Sequence, residues 1–290
     1  MSTAVIEHIE ALKRLGKDLK AASRDLSRRD ARFLVDFYYT MQDQRIRSAG
    51  QVRTASEQGE PHALLTWVFD SMRTLETGIK TAMGEFAAAY AAGQWLQAQH
   101  GIGPVLSAAM LSYFDIRKAP TVGHYWRFAG LDPTLGKPTK GEKLKYSKSL
   151  KSICCFRLGE TMVKHSGSEK CYYGQLYAAY KPALAALNAQ GKFAEYARER
   201  ATTVGKTTVA HKKYSEGLLP DGHVHNRARR WMVKLFLSHL HHVMYVDYHG
   251  ANPPAPYVFE HPELGDHRHL MTPPLWPGDY PGRSLRELYG

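Results

Sequence analysis

The amino-acid sequence predicts an all-α protein, and three observations lead to that prediction. Between positions 65 and 89, apolar residues recur at alternating steps of three and four, which is the a/d pattern of paired helices. This apolar stripe consists of Leu65, Val68, Met72, Leu75, Ile79, Ala82, Phe86 and Ala89. A second strong helix is predicted between 225 and 248, basic at its start and apolar later. No segment has a convincing period of two, the pattern that indicates a β-strand.

In chain order the sequence divides into four segments. Residues 1–29 predict a polar, lysine-rich N-terminal helix or arm, and residues 30–91 predict a coiled-coil helical hairpin. Its helices pair either antiparallel within one chain or across a dimer; the alternative is an amphipathic helix packed on the next domain. Residues 92–249 predict a compact helical domain. The proline-rich residues 250–290 predict an irregular tail.

Composition limits the classes of protein to which the chain can belong. Its 290 residues are 43% hydrophobic and 23% charged, enough for one large or two modest globular domains. No apolar run approaches the roughly 18 residues of a membrane span, and the polar N-terminus resembles neither a signal nor a transit peptide. The 3 cysteines are too few for a disulfide framework. A cytoplasmic location without membrane contact is therefore predicted.

The charge balance points to the kind of partner. The chain carries 39 basic and 27 acidic residues, a formal net charge of +12. An excess of this size favours a polyanionic partner, most often a nucleic acid, and the alternative is a solvated basic surface.

The segment Gly-Ile-Gly-Pro at 101–104 interrupts two apolar helical runs. Two glycines around one apolar residue predict a tight hairpin whose backbone N–H groups are not covered by side chains. Pro104 suits the first position of the following helix. We therefore predict that Gly101, Ile102 and Gly103 contact nucleic-acid phosphates through their backbone, the alternative being a purely structural corner.

Two basic clusters are predicted to add electrostatic contacts to nucleic acid. The first, the lysine loop, contains a single acidic residue, Glu142. Its lysines are Lys137, Lys140, Lys143, Lys145, Lys148 and Lys151. The second cluster opens the late helix and consists of Arg227, Arg229, Arg230 and Lys234.

Other candidate groups do not form a convincing site. The histidine pairs His223/His225, His239/His242 and His267/His269 lack identifiable partners, so neither a metal nor another cofactor is predicted. Ser166 has no recognisable base, and no catalytic residue is assigned. Four residues are instead predicted to lie in the core: Cys154, Cys155, Tyr125 and Trp126.

Several segments resemble the C-terminal domain of the DEDD-type, serine-dependent bacterial transposases of insertion sequences 110, 116 and 902. The similar segments are GIGPVLSAAMLSYFDI, WRFAGLDP, YSKSLKSICCFRLGETMVK and RARRWMVKLFLSHL. The resemblance covers about residues 95–248. It implies a helix-hairpin-helix-like element that faces the backbone of DNA, preceded by a coiled coil.

Two departures from that family affect the expected chemistry. Fewer than 30 residues precede the predicted coiled coil, too few for the family's RuvC-like nuclease domain with its four carboxylates. The family's serine lies in a Ser-Gly pair after the AGLDP segment, where this chain has Lys137, Pro138 and Thr139. The resemblance therefore implies DNA binding without an independent nuclease site.

We accordingly expect a DNA-binding protein of transposition or recombination that forms homo-oligomers through the coiled coil. One alternative is an active serine- or threonine-dependent recombinase that uses a RuvC-like partner in trans. Another is a coiled-coil scaffold of a phage or mobile element that binds RNA or has a structural role.

Overall fold

The computed structural model describes residues 15–57, 59, 63–136, 139–255 and 272–290. These residues are helical throughout, apart from turns and loops, which confirms the predicted all-α class. Extended pairing in the described ranges is limited to an isolated bridge between Tyr90 and Arg283. None of the helices in these ranges has the length and apolarity needed to cross a bilayer.

The N-terminal half contains six α-helices within the described residues. They are α1 (Lys17–Ala22), α2 (Arg28–Glu57), α3 (Ala63–Ala88), α4 (Ala91–Ala98), α5 (Pro104–Tyr113) and α6 (Val122–Phe128). After the lysine loop come α7 (Lys148–Ser152), a π-helical turn (Ile153–Leu158) and α8 (Gly159–Lys164), which form one continuous helix. The remaining helices are α9 (Tyr172–Ala189), α10 (Ala194–Ala201), α11 (Val209–Ser215), α12 (Asp221–His249) and α13 (Leu285–Tyr289).

Helix α5 forms the centre of the core. Every residue from Val105 to Tyr113 is buried, and Ala108 and Ala109 are completely inaccessible. A helix that is apolar on all sides must be enclosed on all sides. Helices α2, α3 and α4 and the π-helical turn provide that enclosure.

Helices α2 and α3 pack against each other. Glu76 of α3 joins the pair: it contacts Arg45 and accepts hydrogen bonds from Gln42 and the Tyr38 hydroxyl, both at 3.3 Å. The apolar stripe of α3 divides into two parts. Its C-terminal part, including Ile79 and Phe86, is buried in the core, whereas Leu65 and Leu75 are 47% and 51% exposed.

The predicted core residues occupy the expected places. Cys154 and Cys155 are buried, and Tyr125 is 1% exposed and stacks on Phe114 with ring centroids 4.1 Å apart. Trp126 is partly buried, and its indole N–H donates to the Lys234 carbonyl at 3.0 Å. All three cysteines are free thiols.

The C-terminal segment is more ordered than the predicted irregular tail. It ends in α13, where the Leu285 amide donates to Asp247 of α12 at 2.7 Å and Leu285 is fully buried. Arg283 joins this segment to the N-terminal arm through Asp25 at 2.8 Å. Local composition predicted a tail because the apolar contacts of α13 lie on α12, far away in sequence. Residues 1–14 and 256–271 lie outside the described residues.

The division of the apolar stripe leads to a stability prediction. Ile79→Asp places a carboxylate at a position that is 8% exposed, so we expect the free energy of unfolding to fall by about 3 kcal/mol or more. Urea denaturation measures this loss. Lys80→Asp, on the exposed side of the same turn, should stay within about 0.5 kcal/mol of the wild type. An Ile79→Asp chain of unchanged stability would contradict the packing of α3.

Candidate nucleic-acid interface

The glycine hairpin between α4 and α5 has the predicted conformation. Gly101 lies at φ +94°, a left-handed region that favours glycine. Pro104 is the first residue of α5, as expected from its missing N–H. The Ile102 side chain, only 4% exposed, anchors the turn in the core.

The structure corrects the predicted role of Ile102. Its amide N–H donates to the Gln99 carbonyl at 3.0 Å, so it is already engaged within the turn. In the described part of the chain the amides of Gly101 and Gly103 donate to no backbone carbonyl. A β-carbon on Gly103 would meet open space. The prediction of backbone contacts is therefore restricted to the two glycines, and Ile102 anchors the turn that carries them.

Two histidines and a lysine that were not predicted as site residues lie beside this hairpin. His100 and His165 have ring centroids 4.9 Å apart, and Lys170 lines the same concave surface as Gly101 and Gly103. His165 follows the end of α8, which packs against the turn near Gly101. No local pattern joins His100 to His165, because only the fold brings these two turns together.

The lysine loop is exposed and anchored at both ends. Lys140, Lys143, Lys145 and Lys148 are exposed, as the predicted contact role requires. Lys151 is half-buried, with its ammonium 4.5 Å from the centroid of the Tyr146 ring. Lys137 lies outside the described residues.

A single helix fixes the distance between the lysine loop and the glycine hairpin. Lys148 opens α7, where the Ser147 hydroxyl accepts from the Leu150 amide at 3.2 Å. Thr161 of α8 lies beside Gly101 at the other end. At 1.5 Å per residue these two ends are about 20 Å apart. We use the name basic track for the exposed loop lysines, Lys164, Lys170 and the two glycines together.

The arginines of the late helix divide into two groups. Arg227 and Arg230 are exposed, although Arg227 also lies over the Phe193 ring at 4.6 Å. The burial of Arg229 contradicts the prediction that this residue contacts nucleic acid. It is 6% exposed, ion-paired with Glu160, and donates to Asn226 at 2.6 Å, and burial lowers its pKa. Its role is to hold α8 against α12.

The histidines of α12 are engaged in structural hydrogen bonds. Ring nitrogens of His239, His225 and His223 are bonded to tyrosine hydroxyls on other elements at 2.9, 2.6 and 2.7 Å. Those hydroxyls belong to Tyr173, Tyr177 and Tyr214. No group of three metal-ligating side chains occurs in the described ranges, and His267 and His269 lie outside them.

His241 is the most strongly perturbed of these histidines. It is 3% exposed, and its Nε2–H donates to the Ala119 carbonyl at 2.8 Å. Burial lowers its pKa to about 4 from an ordinary value of 6.5. The folded protein therefore holds His241 neutral at pH 7.

Comparison with protein-family models, curated proteins and solved structures gives no match to this chain.

The state of His241 leads to a prediction about pH. Between pH 6.5 and 4 the unfolded chain binds a proton at this position and the folded chain does not. The stabilising contribution is complete above pH 6.5 and is lost on acidification, up to about 3 kcal/mol by pH 4.

We therefore expect urea denaturation at pH 7 and pH 5 to show a clear loss of stability, smaller in His241→Gln. Some dependence remains, because burial lowers the pKa of His223, His225 and His242 as well. His249→Gln, on the exposed end of α12, is the matched control and should reduce the dependence less than His241→Gln does. Equal pH dependence in His241→Gln and wild type would refute the assignment.

Proposed function

We propose that the protein binds nucleic acid, with DNA as the principal partner, in a transposition or recombination system. The observation that carries this proposal is the basic track: exposed lysines and glycine amides at the two ends of one rigid helix. The segmental resemblance to insertion-sequence transposases supports DNA and recombination as the context.

The mode of contact follows from the chemistry of the basic track. Lysine ammonium groups and backbone N–H groups bind phosphate oxygens and do not read base edges. Binding of this kind positions a nucleic acid without selecting its sequence, and its affinity falls with salt because condensed counterions are released. No nucleophile or metal site is part of this proposal, which concerns binding.

Self-association is the second part of the proposal. On the N-terminal half of α3, Leu65, Val68 and Leu75 continue the a/d spacing but are 47%, 39% and 51% exposed, and Trp67 is 65% exposed. The stripe residues on the C-terminal half of the helix, Ile79, Ala82 and Phe86, are buried. We propose that a second copy of this chain covers the exposed half, because an a/d stripe is the surface that another helix packs against.

The lysine loop gives a quantitative test of binding. We expect Lys140→Ala/Lys143→Ala/Lys145→Ala to weaken binding to all duplex sequences alike. The slope of log K against log salt should become less steep by up to about 2.7, since each lost phosphate contact removes about 0.9. Fluorescence anisotropy over a salt series measures both quantities.

A triple variant elsewhere on the surface controls for net charge. Lys192→Ala/Lys206→Ala/Lys212→Ala removes three equally exposed charges from the region of α10 and α11. This control variant should keep most of the wild-type affinity and the wild-type slope of log K against log salt. If both triple variants behave alike, binding depends on overall charge and not on the lysine loop.

The exposed stripe is tested separately. Leu65→Glu/Leu75→Glu changes side chains that are exposed in the single chain, so the fold should persist while self-association is lost. Sedimentation velocity gives the oligomeric state, and circular dichroism checks the helix content. A wild-type protein that is monomeric at micromolar concentration would disprove this part of the proposal.

A further inference from the structure

Phe156 occupies an unusual position in the helix that spans the basic track. It lies in the π-helical turn, and its ring is 58% exposed, while Cys155 and Leu158 on the same turn are buried. Single π-helical turns occur frequently at functional sites, because they change the direction in which one side chain points. Isolated exposed apolar residues are common, so the surroundings of Phe156 decide its meaning.

Positive charges surround this ring. The Arg229 guanidinium carbon lies 5.2 Å from the ring centroid. Burial raises the pKa of the Cys155 thiol next to Phe156, and the positive charges of Arg230, Lys151 and Arg229 oppose that rise.

The neighbouring acidic groups are already paired with arginines. Glu160 contacts Arg229, and Asp43 lies 2.9 Å from Arg157. Among the described residues, Lys151 and Arg230 are further positive charges close to the turn, with Lys148 at the start of the helix. The surface thus combines a ring that is more than half exposed with positive charge close by.

We infer that Phe156 is a stacking platform for an unpaired base of a single-stranded nucleic acid that follows the basic track. The inference rests on the proposed function, because it assumes that phosphates occupy the track. The ring lies about 12 Å along the helix from Lys148 and about 8 Å from Thr161 beside the hairpin. The inference therefore requires that the strand run along the side of the helix that carries Phe156.

The chemistry selects a single strand over a duplex. Bases inside a duplex are stacked on each other and present only their edges, whereas an unpaired base has a free π-face. Stacking of this kind tolerates any base, since every base has such a face. The nearby arginine and lysine charges hold the adjacent phosphates.

The test compares oligothymidylate with a duplex by fluorescence anisotropy in low salt. Phe156→Ala and Phe156→Leu should weaken single-strand binding about 5- to 100-fold and leave duplex binding within about twofold. Phe156→Trp keeps an aromatic face and should keep the affinity. Phe33→Ala is the matched control, because Phe33 is 67% exposed and stacks on Phe37 of its own helix.

An abasic strand supplies a second measurement. For a strand without bases, the affinity of the wild-type protein should fall by the same factor by which Phe156→Ala lowers the affinity for the normal strand. The affinity of Phe156→Ala should be the same for the abasic strand and the normal strand. Thermal denaturation verifies that Phe156→Ala folds, which its exposure leads us to expect.

The outcomes separate this inference from the proposed function. If Phe156→Ala binds the single strand like the wild type, while the lysine-loop variant loses affinity, the stacking role is refuted and the proposed function stands. Equal losses on single strand and duplex also refute stacking. If the wild-type protein binds neither probe, the proposed function fails, and this inference fails with it.

Discussion

The enclosure of α5 is the constraint on which the rest of the structure depends. A short helix with buried residues on every side can form only when other helices cover it completely, and α2, α3, α4 and the π-helical turn do so. Its first residue, Pro104, follows directly on the exposed Gly103. The glycine hairpin therefore adjoins the buried centre of the core, which restricts the movement of its amides. A phosphate site built on a rigid element loses little conformational entropy when the ligand binds.

The arginines and lysines of this chain have different roles, which the net charge alone conceals. Arg28 binds Asp115 at 3.0 Å and the carbonyl of Phe114 at 3.0 Å, and Arg229 and Arg45 pair with glutamates between helices. The planar guanidinium suits such multiple contacts. Four of the loop lysines, in contrast, are exposed: Lys140, Lys143, Lys145 and Lys148. The proposed binding to a polyanion therefore draws on these exposed lysines more than on the paired arginines.

The sequence allowed the helical class, the opening of α5 at Pro104 and the buried cysteines to be predicted, because each depends on local spacing or on the geometry of one residue. It did not allow the burial of Arg229 to be predicted, since its partner Glu160 lies on α8 and nothing near Arg229 identifies it. Helix α13 was missed for the same reason, as its contacts are on α12. Phe156 belongs to an apolar helical run that predicts burial, but in the structure it lies in a π-helical turn and is exposed to solvent.

The two parts of the proposed function support each other energetically. Contacts that use only phosphates are weak, with dissociation constants of about 10⁻⁴ to 10⁻⁶ M at physiological salt. Joining two such surfaces makes the second contact intramolecular and strengthens binding by about 10² to 10⁴ when the geometry permits both. The exposed apolar half of α3 supplies a means of joining two copies, at a site separate from the basic track. A chain that binds backbone charge without base-specific contacts gains affinity through such an assembly more readily than through further lysines, because added charge also increases sensitivity to salt.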